Sequence, residues 1–189
     1  MASRLIQNCI KEVQEKYLPF ASDMNSAGLL FMITCTARDL WEQGILMMQG
    51  RTNLTTLNKI RASYEMPNLM QEEDHKVTWT WLSKHIVLKD IAKAEKVLAL
   101  CRQNGIVIPE NLILKVSGFE YSRAIDIALM KGVKQPHWNL KISVDGDQIP
   151  DYEEMAVIAE KNGFKAGMRF KTFRNGVWVP TPDAPHIEI

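Results

Sequence analysis

An acidic residue interrupts an otherwise apolar strand in this sequence. Asp126 stands within the run Ala124-Ile125-Asp126-Ile127-Ala128-Leu129, in which every other side chain is aliphatic. Burying a carboxylate in such a strand is costly unless the charge is paired or binds a cation. The fold must therefore bring a partner to Asp126, and the sequence leaves two kinds open, an arginine of the core or a metal ion.

Two histidines supply the further ligands that a metal at Asp126 would need. His85 ends the motif Ser83-Lys84-His85, which follows a β-prone run, and His186 ends the motif Asp183-Ala184-Pro185-His186. Two histidines and one carboxylate are a usual ligand set for a catalytic zinc that keeps a position for water. The sequence thus predicts a Zn²⁺ site formed by His85, Asp126 and His186.

The residue three positions before the last ligand is suited to act as a base. Pro182 and Pro185 hold the segment around Asp183 in a non-helical conformation. A metal-bound water has its pKa lowered to about 7, so a neighbouring carboxylate can take its proton. The pattern predicts Asp183 as the general base. Taken singly, Asp183 is also typical of a turn and His186 of a packed histidine, and His137 is the alternative ligand.

Arg38 follows a predicted strand that begins at Leu29. An arginine at a strand end suits a bidentate grip on a substrate carboxylate, or polarisation of a scissile carbonyl. Gln43 would support Arg38 or contact the substrate. The alternative is a surface salt bridge between Arg38 and Asp39 or Glu42.

Whole-chain properties make several classes of protein unlikely candidates. The formal net charge of +1 gives no field that favours nucleic acid, and no apolar run is long enough to cross a bilayer. Cys9, Cys35 and Cys101 lack CxxC spacing, so we expect buried free thiols rather than metal ligands. Residues 1–20 predict an amphipathic helix rather than a signal peptide, and hence synthesis in the cytoplasm.

Hydrophobic periodicity predicts strands and helices in an irregular order. The predicted strands span residues 29–34, 77–82, 123–130, 140–144 and 186–189, with a hairpin of 169–173 and 177–179 around Asn175-Gly176. Besides the N-terminal helix, the predicted helices span residues 38–49, 90–105 and 152–162. Residues 52–76 indicate a surface excursion. The mixture lacks βαβ regularity, so the expected class is α+β.

Together these residues resemble the VanY-like zinc D,D-carboxypeptidases and L-alanyl-D-glutamate endopeptidases. The motifs of that group are Arg…Gln, Ser-x-His, Ala-x-Asp and a terminal Asp/Glu-x-x-His. They correspond here to Arg38…Gln43, Ser83-Lys84-His85, Ala124-Ile125-Asp126 and Asp183-Ala184-Pro185-His186. Segments 49–52, 149–154 and 163–170 are also similar to the group, and the likeness runs from about residue 25 to the end.

The resemblance implies a small antiparallel sheet with flanking helices, of the hedgehog/D-Ala-D-Ala-peptidase type. It implies one zinc peptidase domain over residues 1–189, with an inserted helical segment at about 90–118. It also implies a role for each site residue: zinc binding by His85, Asp126 and His186, catalysis by Asp183 and Arg38, and substrate binding by Arg38, Gln43 and Ser83.

The sequence departs from the group in the spacing of two motifs. Ser-x-His and Ala-x-Asp usually stand close together, whereas residues 90–118 separate them here. A competing register would put Ser117-Gly118-Phe119 at the Ser-x-His position, with phenylalanine in place of a ligand and a dead site. We prefer His85, because residues 78–86 match the lead-in of the group. Ser122 stands where glycine is common.

The expected function is hydrolysis of peptidoglycan stem peptides as an L-alanyl-D-glutamate endopeptidase. The alternatives are a D-Ala-D-Ala carboxypeptidase and a non-catalytic structural or binding member of the same fold. The small form resembles phage endolysins, which are made in the host cytoplasm without a signal peptide and reach the wall after a holin opens the inner membrane. We expect a monomer that binds neither nucleic acid nor, stably, the membrane.

Overall fold

The computed structural model describes residues 2–70, 72–76, 79, 81, 84–112, 121–132, 135–174 and 177–189. The chain divides into two compact units. The first, here called the helical unit, comprises Met1–Ala2 and Arg38–Glu120, and the second, the sheet unit, comprises Ser3–Ala37 and Tyr121–Ile189. The expectation of a single zinc peptidase domain with an insertion stays a prediction.

The elements follow in mixed order along the chain. The helices are α1 (Lys11–Ser26), α2 (Leu40–Met48), α3 (Leu54–Ser63), α4 (Glu72–His75), α5 (Ile91–Gln103) and α6 (Asp151–Lys161). The strands are β1 (Phe31–Cys35), β2 (Arg38–Asp39), β3 (Ile86–Val87), β4 (Ala124–Met130), β5 (Pro136–His137), β6 (Lys165–Ala166), β7 (Lys171–Arg174), β8 (Val177–Pro180) and β9 (His186–Glu188). None of the described helices is long and apolar enough to cross a membrane.

The sheet unit is built on an antiparallel sheet with β4 at its centre. The strand order is β1-β4-β9-β6, and β5 pairs with the far end of β4. Asp126 pairs with Cys35 of β1 on one side and with His186 of β9 on the other. The α+β class with a small antiparallel sheet is therefore confirmed, while the hedgehog-type fold stays an expectation.

The core of the sheet unit explains why β4 is so apolar. Ile125, Ile127 and Leu129 of β4 are buried in one cluster that also contains Phe20 of α1 and Tyr152 of α6. Alternate residues of a strand point to opposite faces, so these three lie on the face that the helices cover. Asp126 belongs to the opposite face, and its side chain is only partly buried, with 20% exposure.

The helical unit is organised by the packing of α2 against α5. A Cβ on Gly44 of α2 would lie 2.6 Å from Cγ1 of Val97 in α5, so glycine allows the close approach of the two helices. β2 pairs with β3 in parallel, and the backbone N–H of Arg38 donates to the carbonyl of His85 at 3.1 Å. Asp90 caps α5 by accepting from the N–H of Lys93 at 3.0 Å, at the start of the helix that the sequence predicts over 90–105.

Three sequence predictions are wrong. Residues 52–76 are not only a surface excursion, because they contain α3, whose buried Leu57 faces the core. The side chain of Asn53 caps this helix by accepting from the N–H of Thr56. Residues 140–144 form no strand, and both Leu140 and Val144 are exposed. The strand that pairs with β4 in this region is β5.

The third error concerns the N-terminal helix. The helix predicted over residues 1–20 is present only from Lys11, where α1 begins, because Ile6–Asn8 form a 3₁₀ turn and Cys9 forms a bridge with Ser122. The hairpin prediction is confirmed by the pairing of β7 with β8, although Asn175-Gly176 lies outside the described residues. The predicted strand at 77–82 lies mostly outside them as well.

Candidate functional site

The sheet unit brings together two of the predicted zinc ligands. Asp126 and His186 are partners in the register of β4 and β9, and Oδ1 of Asp126 lies 3.1 Å from Nδ1 of His186. The other ring nitrogen, Nε2, lies 3.1 Å from Oε2 of Glu188. His186 is 2% exposed, so its ring is held between two carboxylates in a buried setting.

This setting decides the charge of the His186 ring. Burial lowers the pKa, but hydrogen bonds to Asp126 and Glu188, with the negative charges of Asp126 and Asp183, more than offset it and raise the pKa of His186 to about 9. The two carboxylates therefore favour the protonated form of the His186 ring. The carboxylates accommodate a positive charge here, which is the condition a cation site must meet.

Asp183 is held beside His186 by a tight turn. The N–H of His186 donates to the carbonyl of Asp183 at 3.0 Å, and the N–H of Asp183 donates to the carbonyl of Gly167 at 2.9 Å. A Cβ on Gly167 would overlap the carbonyl oxygen of Asp183, so only glycine permits this approach. The segment Gly167–Arg169 thus fixes the backbone on which the predicted base stands.

Cys35 is a potential ligand that sequence reasoning did not place at the site. It is a buried cysteine outside any disulfide, in register with Asp126, and its Sγ lies within 4.8 Å of a carboxylate oxygen of Asp126. Thiolate sulfur is a good zinc ligand. The sequence carries no signal for this contact, because the pairing of β1 with β4 joins residues that are distant along the chain.

In the helical unit, Arg38 and Gln43 form the pair that the sequence predicts. Nη1 of Arg38 donates to Oε1 of Gln43 at 2.7 Å, and the two residues are 8% and 1% exposed. This burial makes the surface salt bridge of Arg38 with Asp39 or Glu42 the wrong interpretation. The Cζ of Arg38 also lies 5.0 Å from the centroid of the Trp79 ring.

His85 precedes β3 in the helical unit. It is 1% exposed, and its carbonyl accepts from Arg38 at the start of β2. Its burial suits a ligand as well as a core histidine. Ser83 and the competing segment Ser117-Gly118-Phe119 lie outside the described residues.

His137, the alternative ligand, has a different role. Its Nε2 lies 3.1 Å from Oδ2 of Asp151, and both side chains are buried. Its carbonyl accepts from the hydroxyl of Tyr152 at 2.8 Å. These contacts attach β5 to the start of α6, so His137 serves the packing of the sheet unit.

A group of acidic side chains in the sheet unit could hold a cation. Oxygen atoms of Asp145, Asp147 and Glu154 lie within 4.8 Å of one another. Burial, together with the charges of Asp147, Asp145 and Asp151, raises the pKa of Glu154. The spacing of these carboxylates along the chain is close to that of ligands in an EF-hand calcium loop. Exposed acidic groups also cluster in proteins that bind no ion, so the proximity of these three carboxylates does not by itself establish a cation site.

No family model matches this chain, and no curated protein matches its sequence.

Proposed function

We propose that the protein is a zinc-dependent peptidase that hydrolyses stem-peptide bonds of bacterial peptidoglycan, as an L-alanyl-D-glutamate endopeptidase. The observation that supports this most is the pairing of Asp126 with His186, which lie 60 residues apart in sequence, with Asp183 held beside His186. The ring of His186 is held between two carboxylates, so anionic oxygen atoms already surround the nitrogen that would bind the metal.

The donors fit a zinc ion. Asp126 and His186 offer an oxygen and a nitrogen from neighbouring strands, and the site stabilises positive charge. His85 is the third ligand of the set that the sequence predicts. A bound Zn²⁺ would acidify a water molecule and polarise the scissile carbonyl. Glu188, on the far side of the His186 ring, would orient that ring, since a carboxylate is a frequent partner of a ligating histidine.

The remaining residues act on protons and on the substrate. Asp183 takes the proton of the attacking water as general base and returns it to the leaving amine. Arg38, whose side chain Gln43 holds, binds a carboxylate of the stem peptide or the developing oxyanion. Ser83 contacts the substrate. The protein acts as a monomer on the cell wall, after synthesis in the host cytoplasm and release through a holin.

The decisive experiment is mass spectrometry of purified peptidoglycan digested with the zinc-loaded protein. New glycan-linked L-Ala termini would support the endopeptidase, whereas loss of a terminal D-Ala alone would replace it with the carboxypeptidase. Asp183→Ala should abolish the product, and Glu95→Ala, which changes an exposed carboxylate on α5, should leave it unchanged. A folded, zinc-loaded protein without product would favour the non-catalytic alternative.

A further inference from the structure

The segment Gln49-Gly50-Arg51-Thr52 follows α2 and has no part in the reaction described above. Nη1 of Arg51 donates to the carbonyl of Met47 at 2.9 Å, and Nη2 donates to the carbonyl of Trp79 at 3.1 Å. One guanidinium therefore joins the last turn of α2 to the backbone of Trp79. The planar fork of arginine suits this task, because it donates to two acceptors in a fixed geometry.

The ring of Trp79 lies against the guanidinium of Arg38. The Cζ of Arg38 is 5.0 Å from the ring centroid, within the range of an attractive cation–π contact. Among the described residues, the indole Nε1 of Trp79 is buried without a hydrogen-bond partner. Within the described part of the chain, the side chain of Trp79 is therefore held without a hydrogen bond to its indole nitrogen, by its contact with Arg38 and by packing against the hydrophobic cluster around Ile45.

The contacts of Arg38 leave a donor for a ligand. Nη1 is taken by Gln43 and one face of the guanidinium is covered by Trp79, but Nε is buried without a partner among the described residues. A buried donor without a partner is unfavourable in the ligand-free protein. The guanidinium carries a positive charge, and its hydrogen bonds to a carboxylate are stronger than those to a neutral amide, so the substrate group that fits Arg38 best is an anion.

We propose that Trp79 is a positioning residue for Arg38, that Arg51 holds Trp79 in place, and that the positioned Arg38 binds a carboxylate of the substrate. The proposal rests on the proposed function, in which Arg38 engages the stem peptide. It gives the 49–52 segment a role: Arg38 precedes α2 and Arg51 follows it, and Trp79 links the two. A displacement of the guanidinium by about 1 Å is sufficient to weaken such a contact strongly.

The first test is a double-mutant cycle on the hydrolysis of a stem peptide. Trp79→Leu should lower kcat/KM about tenfold, as expected for loss of a desolvated cation–π contact, and should raise KM rather than lower kcat. The same change in an Arg38→Ala protein should have no effect, since positioning acts only through Arg38. Trp79→Phe should retain most of the activity, and Arg51→Gln should raise KM by a smaller factor. Trp138→Leu, at an exposed tryptophan, is the matched control. Equal effects of Trp79→Leu with and without Arg38 would overturn the proposal.

The second test does not depend on hydrolysis. In ¹H–¹⁵N spectra, the Arg38 Nε–H signal, assigned by its loss in Arg38→Lys, should show an aromatic ring-current shift. Trp79→Leu should remove that shift, and Arg51→Gln should reduce it, while Trp138→Leu should not. An unchanged signal in Trp79→Leu would refute the positioning, even for an active enzyme. The expected spectral changes in a protein that hydrolyses no stem peptide would instead refute the proposed function and leave the positioning in place.

Discussion

Asp126 and His186 face each other across the pairing of β4 with β9, with Oδ1 of the aspartate 3.1 Å from Nδ1 of the histidine. The charge that interrupts the apolar strand is thus partnered by the last histidine of the chain. Both atoms carry lone pairs suited to a metal when the ring is neutral. Metal and proton would compete for the same ring nitrogen, so under the proposed function zinc binding should displace the proton that His186 shares with Asp126.

Asp126→Asn should weaken zinc binding at least about tenfold, because an amide oxygen is a poorer ligand than a carboxylate. The substitution keeps the size of the side chain, so the sheet should stay intact. Competition with a chromophoric chelator measures the affinity, and circular dichroism checks the fold. Glu95→Gln on the exposed face of α5 is the matched control. An unchanged zinc affinity in Asp126→Asn would exclude this residue from the ligand set.

Asp183→Asn should separate catalysis from metal binding. Loss of a general base lowers kcat by about 10²–10⁴, while the zinc content should stay that of the wild type because Asp183 is not a predicted ligand. Single-turnover hydrolysis of a purified stem peptide and metal analysis of the same sample give both quantities. A variant that loses its zinc would show that Asp183 is a ligand rather than the base.

Gly167→Ala should destabilise the sheet unit. The new Cβ would overlap the carbonyl of Asp183 and lie 2.9 Å from the carbonyl of His186. Overpacking of this kind typically costs about 1–3 kcal/mol, and here it would also shift the turn that holds the base. Urea denaturation measures the free energy of unfolding. Lys165→Ala, at an exposed position of β6, should change it by no more than about 0.5 kcal/mol.

Cys9 and Cys101 should be unreactive thiols in the native protein. Burial raises the pKa of each to about 12, so little thiolate is present at pH 8. The unfolded thiols lose their protons near pH 9 whereas the folded ones keep them, so the free energy of unfolding should fall as the pH rises from 9 to 12. Denaturation at a series of pH values tests this, and Cys101→Ala should flatten the dependence. A slope identical to that of the wild type would contradict the pKa of Cys101.

Local patterns predicted the elements whose signals lie within a few residues. The helix predicted over 90–105 is α5, and the apolar run around Asp126 is β4. Local patterns do not predict contacts between residues that are distant along the chain. The contact of Cys35 with Asp126 depends on the register of β1 against β4, and nothing in the local sequence encodes that register. The sequence predicts for Glu188 only a place in a terminal strand, whereas its Oε2 lies 3.1 Å from Nε2 of His186.

The strand predicted at residues 140–144 does not form, for a related reason. Leu140 and Val144 have the alternation of a half-buried strand, but both are exposed. The edge of β4 that such a strand would need pairs with β5 and β9 instead. Alternation therefore predicts a strand at 140–144, but in the described part of the chain this segment pairs with no strand of the sheet.

Cobalt substitution should decide whether Cys35 joins the metal site. The proposed ligands are two histidines and one aspartate, which leaves a position for the attacking water. Cys35 has its Sγ within 4.8 Å of an oxygen of Asp126, and a thiolate in the fourth position would give a closed site of the structural type. We expect Co²⁺-loaded protein to show no thiolate-to-cobalt charge-transfer band and Cys35→Ala to keep wild-type activity. A band that disappears in Cys35→Ala would mean that the water position is filled by sulfur, and it would favour the non-catalytic member over the peptidase.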